Sequence, residues 1–309
     1  MQMDHAQRTV NGPVRVSGVG LHSGESVDLT ILPAQADTGI LFVRTDLPGR
    51  PVIPACVDTI VDTSYATTIG TRFGTVSTIE HLMGAFSGLG IDNAIVELSA
   101  HEVPAMDGSA YPFVALILRQ GLRSLGEPRR CVEILEPIEV SCGDKFLRVE
   151  PCSGFAIHYE IDFEHPLVAR QQFEEFITQE YFESTISRAR TFGFLKEVEW
   201  MRDHGLALGG SLENAIVMND TAILNEGGLR FPDEFVHHKV LDMMGDLYLL
   251  GMPIRGRVSA YKSGHGLHHL LVRKIIDSPG SWRLTTGPTM WDFAPCSLAH
   301  EAATFAHTI

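Results

Sequence analysis

The apolar positions of this chain change period several times, and each change marks an element. Over residues 155–163 they alternate, placing Phe155, Ile157, Tyr159, Ile161 and Phe163 on one face of a strand. Residues 14–19, 27–32, 94–98 and 257–261 read as further strands. In residues 78–89 the spacing becomes helical, with Ile79, Leu82, Met83 and Phe86 on one side. Further helices are expected over 194–204, stopped by Gly205, and over 233–250. A hairpin-like stretch runs over 215–231 and turns at Asn219-Asp220. Residues 125–130, rich in Gly, Pro and Arg, read as a linker. Elements follow in similar order on either side of it. The expected class is therefore α+β: two layered α/β-sandwich domains of similar topology, 1–126 and 131–309, each a mixed sheet covered by helices. A length of 309 residues also favours two cores.

The helix over 233–250 carries the first chemical pattern. At roughly 100° per residue, His238, Asp242, Asp246 and Lys239 fall at about 0°, 40°, 80° and 100°. Val240, Met243, Met244, Leu247 and Leu250 form the wide apolar face. His238 and Asp242 lie one turn apart on one side and can share a metal ion; His237 points elsewhere. A solvated polar face would look the same. The second pattern is Ser77-x-x-Glu80-His81. It reads as a capping box at a helix start, and it also sets a carboxylate beside a histidine at a fixed position. Catalytic zinc typically takes three protein ligands and leaves a place for water, which needs a base nearby. His81, His238 and Asp242 supply three ligands and Glu80 a base. His-Glu-x-x-His, Gly-x-Gly-x-x-Gly, Walker-type and Gly-x-Ser-x-Gly patterns are absent from the sequence.

Composition narrows the classes. A net charge of −14 disfavours nucleic-acid binding and requires a local basic patch for any anionic substrate. The longest apolar runs, such as 113–118, are too short to cross a bilayer, and no secretory signal is apparent. The five cysteines, at 56, 131, 142, 152 and 296, form no Cys-x-x-Cys pair and read as reduced thiols of a cytoplasmic protein.

Several segments, in this order, closely resemble the UDP-3-O-acyl-N-acetylglucosamine deacetylases of Gram-negative bacteria. They are Val16-Ser-Gly-Val-Gly-Leu-His-Ser-Gly24, Thr78-Ile-Glu-His-Leu-Met83, Gly90-Ile-Asp-Asn93, Met106-Asp-Gly-Ser-Ala110, Ile161-Asp-Phe163 with His165-Pro166, Ser187-Arg-Ala-Arg-Thr-Phe-Gly-Phe194, His238-Lys239 with Asp242, and Ala260-Tyr-Lys-Ser-Gly-His-Gly266. The resemblance implies two helix-on-sheet domains with the site between them, a Zn2+ cofactor, and deacetylation of a UDP-acyl-sugar in lipid A synthesis. It implies His81, His238 and Asp242 as zinc ligands and Glu80 as general base. Thr191 is implied as a donor to the oxyanion, and His265, held by Asp246, as the acidic group. Phe163, Phe192, Lys239 and Lys262 are implied in substrate contact, and Leu195, Val198 and Leu206 along an acyl passage. Among single residues, Leu195, Val198 and Met201 form a helical stripe that core packing would also explain. His265 sits in what reads as a Gly-flanked loop. His101 and the His268-His269 pair depart from the family pattern and read as exposed surface variation, the pair on the last helix, with an adventitious metal site the alternative. A monomer is expected. Two rivals remain open: a sugar-nucleotide or lipid binder without turnover, and a zinc amidase acting on another acylated amine.

Overall fold

The computed structural model describes residues 5–286. In the first half, strands Val14–Val19, Ser26–Pro33, Ala94–Leu98, Ile40–Arg44 and Val52–Pro54 lie side by side in that order. Neighbours are antiparallel except Ala94–Leu98 against Ile40–Arg44. Alternation makes this sheet: Val27, Leu29 and Ile31 are buried, while Ser26 and Asp28 face solvent. Helices α1 (Glu80–Leu89) and α2 (Tyr111–Gln120) belong to this half. A small three-stranded sheet, Ile60–Asp62, Thr68–Thr71 and Gly74–Val76, precedes α1.

The second half is a seven-stranded mixed sheet built around Ile254–Tyr261. That strand pairs antiparallel with Lys145–Glu150 and parallel with Phe155–Asp162 and Cys131–Ile134. Its helices are α3 (Gln179–Ser184), α4 (Leu195–Asp203), α5 (Glu234–Leu247) and α6 (His265–Ile276). α5 packs on strands Phe155–Asp162 and Arg170–Phe176, and α6 on Ile138–Cys142 and Lys145–Glu150. No helix among the described residues is long and apolar enough to cross a membrane.

The halves meet where α1 crosses α5, and glycine sets the distance. A Cβ on Gly245 of α5 would overlap the Glu80 carbonyl oxygen and lie 2.9 Å from Gly84 N. A Cβ on Gly84 would lie 2.7 Å from Leu241 Cδ1. At Gly245 every near obstacle is backbone, so nothing flexible can yield. Gly245→Ala is expected to lower stability by about 1–3 kcal/mol, the usual range for overpacking. It also pushes Glu80 and His81 away from α5. Urea unfolding checks this; an unchanged midpoint would contradict so tight a crossing.

Three sequence expectations need correction. Residues 125–130 are not a free linker: Leu122–Pro128 is a strand, antiparallel to Ala6–Val10. Ser77 does not cap α1. The helix begins at Glu80 itself, Ile79 is its cap residue without a side-chain bond, and Ser77 Oγ accepts from Thr68 Oγ1 at 3.0 Å. Thr78, between them, adopts φ +57°, a left-handed conformation unusual for a β-branched residue, and its hydroxyl donates to Glu102 at 2.9 Å. The 215–231 segment is not a hairpin: Ile216–Met218 pairs in parallel with Phe192–Phe194, and only Met218 and Ile223 bridge across the Asn219 turn. The helix over 233–250 is α5 to Leu247, followed by a 3-10 turn, Tyr248–Leu250, that ends at Gly251. Cys56, Cys142 and Cys152 are free thiols. Cys296 lies outside the described residues.

Candidate active site

α1 and α5 bring together the three residues that the sequence paired only by inference. Ligating atoms of His81, His238 and Asp242 all lie within 4.8 Å of one another, and all three side chains are buried. Asp242 Oδ1 is 3.5 Å from His81 Nε2 and 3.3 Å from His238 Nε2. Donors about 2.0–2.1 Å from a tetrahedral zinc would stand roughly 3.4 Å apart. The trio therefore fits such an ion in donor type, and both carboxylate–imidazole separations match its spacing. His238 Nδ1 lies 3.1 Å from the Ala189 carbonyl, so it carries the hydrogen and leaves the Nε2 lone pair pointing inward. Burial lowers the His238 pKa to about 3, which keeps the imidazole neutral. Burial also opposes the charge on Asp242, yet the Lys239 ammonium beside it, with a hydrogen bond from His81, holds its carboxyl well below the usual range. Lys239 Nζ donates to Asp242 Oδ2 at 2.9 Å and lies 5.5 Å from the centre of the Phe192 ring. His237 turns away, towards Tyr181 Oη at 3.2 Å.

The Ala189 carbonyl is held in place by its neighbours. Arg190 grips the fully buried Glu234 at the first turn of α5, with Nε to Oε1 at 2.8 Å and Nη2 to Oε2 at 3.0 Å. Thr191 follows, fixed by its N–H to Gly108 O and by Ile216 N–H to its carbonyl, each 2.8 Å.

Glu80 is buried beside His81. One oxygen accepts from Thr67 N–H at 3.0 Å, and burial raises its pKa despite the positive influence of His265 and His81. The Thr67 hydroxyl donates to Asp246 Oδ1 at 2.5 Å, so this residue joins the two carboxylates. His265 is not in a loop: it is the first residue of α6. Its Nδ1 lies 2.7 Å from Asp246 Oδ2. Burial and the helix N-terminus both oppose the imidazolium, but Asp246, helped by Glu80 and Asp242, raises its pKa to about 9. His268 and His269 are not exposed. His268 is fully buried and its Nδ1 also reaches Asp246 Oδ2 at 2.7 Å; His269 Nε2 lies 3.1 Å from Thr67 Oγ1. His101 does lie at the surface, 3.3 Å from Glu25.

Two cavities adjoin. One, of about 300 Å3, is lined by Thr191, Phe192, Leu195, Val198, Met201 and Ala207 among others. Leu206 is not on its wall; the next residue, Ala207, is. The second, of about 380 Å3, is lined by Phe163, His165, Phe194, Leu195 and Asn219 among others. Phe163 packs 5.8 Å from both Phe192 and Phe194, ring centre to ring centre. Lys262 is engaged with Asp144 at 3.3 Å and Asp162 at 3.2 Å, which raise its pKa.

Residues 7–277 match the family model of the UDP-3-O-acyl N-acetylglycosamine deacetylases, LpxC. This chain belongs to that family. It is 51% identical over 279 residues to the UDP-3-O-acyl-N-acetylglucosamine deacetylase of Myxococcus xanthus (strain DK1622), covering 90% of this chain and 88% of that protein. The protein of the same name from Syntrophus aciditrophicus (strain SB) is 44% identical over 294 residues, 95% of this chain and 91% of the relative. That from Anaeromyxobacter sp. (strain Fw109-5) is 49% identical over 278 residues, 90% and 91%.

Sequence reasoning missed Thr67, His268 and His269. Thr67 sits in the loop just before strand Thr68–Thr71 and carries no local signal. The two histidines did carry one: with His265 at a helix start, positions 265, 268 and 269 are i, i+3 and i+4 and share a face.

Proposed function

We propose that this chain is a zinc-dependent amidohydrolase that removes the N-acetyl group of UDP-3-O-(3-hydroxyacyl)-N-acetylglucosamine, in lipid A biosynthesis. Membership of the family supports the reaction. The convergence of His81, His238 and Asp242 next to Glu80 supports the chemistry. Zinc held by that trio would supply a Lewis acid that polarises the acetyl carbonyl and makes water a nucleophile near neutral pH. Glu80 takes the proton from the attacking water as the oxygen–carbon bond forms. Thr191 donates to the oxygen that gains negative charge, an interaction worth roughly 3 kcal/mol in comparable sites. His265 gives its Nε2 proton to the amine nitrogen as the carbon–nitrogen bond breaks, leaving free amine and acetate. Asp246 holds His265 through Nδ1. Binding without turnover would need neither Glu80 nor a protonated His265, which disfavours the binder reading.

Phe163, Phe192, Lys239 and Lys262 belong to the substrate contacts in this reading. The apolar cavity along Leu195 and Val198 receives the acyl chain. We place the enzyme in the cytoplasm as a monomer of two domains, 1–126 and 131–309; free thiols support the compartment. The test of substrate is direct. Burying even four methylenes contributes roughly 3 kcal/mol, more than 10²-fold in rate. UDP-N-acetylglucosamine without the O-acyl chain is expected to lose at least that factor in kcat/KM, followed as amine released. Equal rates with and without the chain would favour a general sugar deacetylase.

A further inference from the structure

Three histidines of α6 converge on one carboxylate. Asp246 Oδ2 receives His265 Nδ1 and His268 Nδ1, each at 2.7 Å. Asp246 Oδ1 accepts from Thr67 Oγ1 at 2.5 Å, and His269 Nε2 lies 3.1 Å from the same hydroxyl. Separations of 2.7 Å are hydrogen bonds. Donors around a tetrahedral metal stand roughly 3.4 Å apart, so this cluster is a clamp on Asp246 and not a second metal site. Asp246 itself has no exposed surface.

We propose that His268 is a positioning residue: its Nδ1–H takes a share of Asp246 Oδ2, so that His265 holds its transferable proton against a shared carboxylate. The inference rests on His265 being the proton carrier. A second donor on one oxygen draws off charge that His265 would otherwise meet alone. His268 can do this without competing for the proton. Burial lowers its own pKa, and its Nε2 is 3.1 Å from Ser263 Oγ, which lies 2.8 Å from the buried Tyr159 Oη. The ionisable groups facing His265 are Glu80 and His81 from α1, Asp242 and Asp246 from α5, and His268 and His269 from α6. Substitution at position 268 leaves the others in place.

The experiment uses zinc-loaded protein, with kcat measured against pH and the His265 imidazole titrated by NMR. His268→Phe keeps a ring but removes the donor. It should move the His265 titration and the basic limb of kcat to higher pH by about one unit, part of the 1–3 units that a neighbouring charge commands. His268→Asn, whose amide N–H falls near the position of Nδ1–H, should keep both at wild-type values. Asp246→Asn should move both the opposite way, to lower pH, because the imidazolium loses its anion. In wild type, 15N NMR should show His268 as the neutral Nδ1–H tautomer, a result that requires no variant. An Nε2–H tautomer, or an unmoved His265 titration in His268→Phe, overturns the proposal. The proton-carrier reading fails separately, if His265→Gln keeps the wild-type rate and basic limb; the NMR titration still reads the sharing in that case.

Discussion

Glu80→Gln is expected to retain its zinc and its fold while losing at least about 10²-fold in kcat, the low end of what a general base supplies. Glutamine keeps the volume and can still accept from Thr67 N–H, the bond that fixes this side chain at 3.0 Å. What it lacks is a site for the water proton. The location of Glu80 sets opposing demands on its charge. As the first residue of α1 it lies at the positive end of the helix dipole, which favours the anion. Burial acts the other way and wins, raising its pKa above the ordinary carboxylate value. The group must be ionised to work, so activity falls as pH drops through that raised pKa. The acidic limb of kcat/KM therefore lies higher than for an exposed glutamate, and Glu80→Gln removes it from what little rate remains. A variant that kept wild-type rates would exclude Glu80 as the base.

The largest effect of all is expected from the ligand trio. His81→Ala, His238→Ala and Asp242→Ala should each lose stoichiometric zinc on dialysis and with it nearly all turnover. Partners that merely orient metal ligands are worth roughly 10–100-fold in affinity or activity, and removing a ligand itself should exceed that. Asp242→Ala has a further consequence, because Lys239 Nζ loses the carboxylate it holds at 2.9 Å. His237→Ala is the control: its ring faces Tyr181 and the Asp233 carbonyl, and zinc content should not change. Metal analysis of the purified variants decides. Full zinc retention by all three ligand variants would refute the trio.

The polar stripe of α5 was legible because helix geometry is local. His238, Asp242 and Asp246 share a face whatever packs against it, and the structure buries all three. Pairing that stripe with His81 needed the fold, since α1 reaches it only through the close glycine contacts at 84 and 245. The capping box misled for a physical reason. Ser77 sits in an extended backbone that bridges Glu102, and the left-handed Thr78 turns the chain so that the helix starts at Glu80, two residues later. Strand Leu122–Pro128 has no apolar pattern because it is a largely exposed strand paired with Ala6–Val10, so its composition alone reads as a linker. His268 and His269 looked like surface because their burial depends on Asp246, a residue 22 positions away from His268. Thr67 was invisible for the same reason: its bonds to Glu80, Asp246 and His269 are all tertiary.

Turnover is expected to depend on one metal ion. Wild-type protein stripped by a chelator, shown metal-free by elemental analysis, should release no acetate from UDP-3-O-(3-hydroxyacyl)-N-acetylglucosamine. Titrating zinc back should restore activity in proportion and reach its maximum at one equivalent. Undiminished acetate release from the metal-free protein would contradict that dependence.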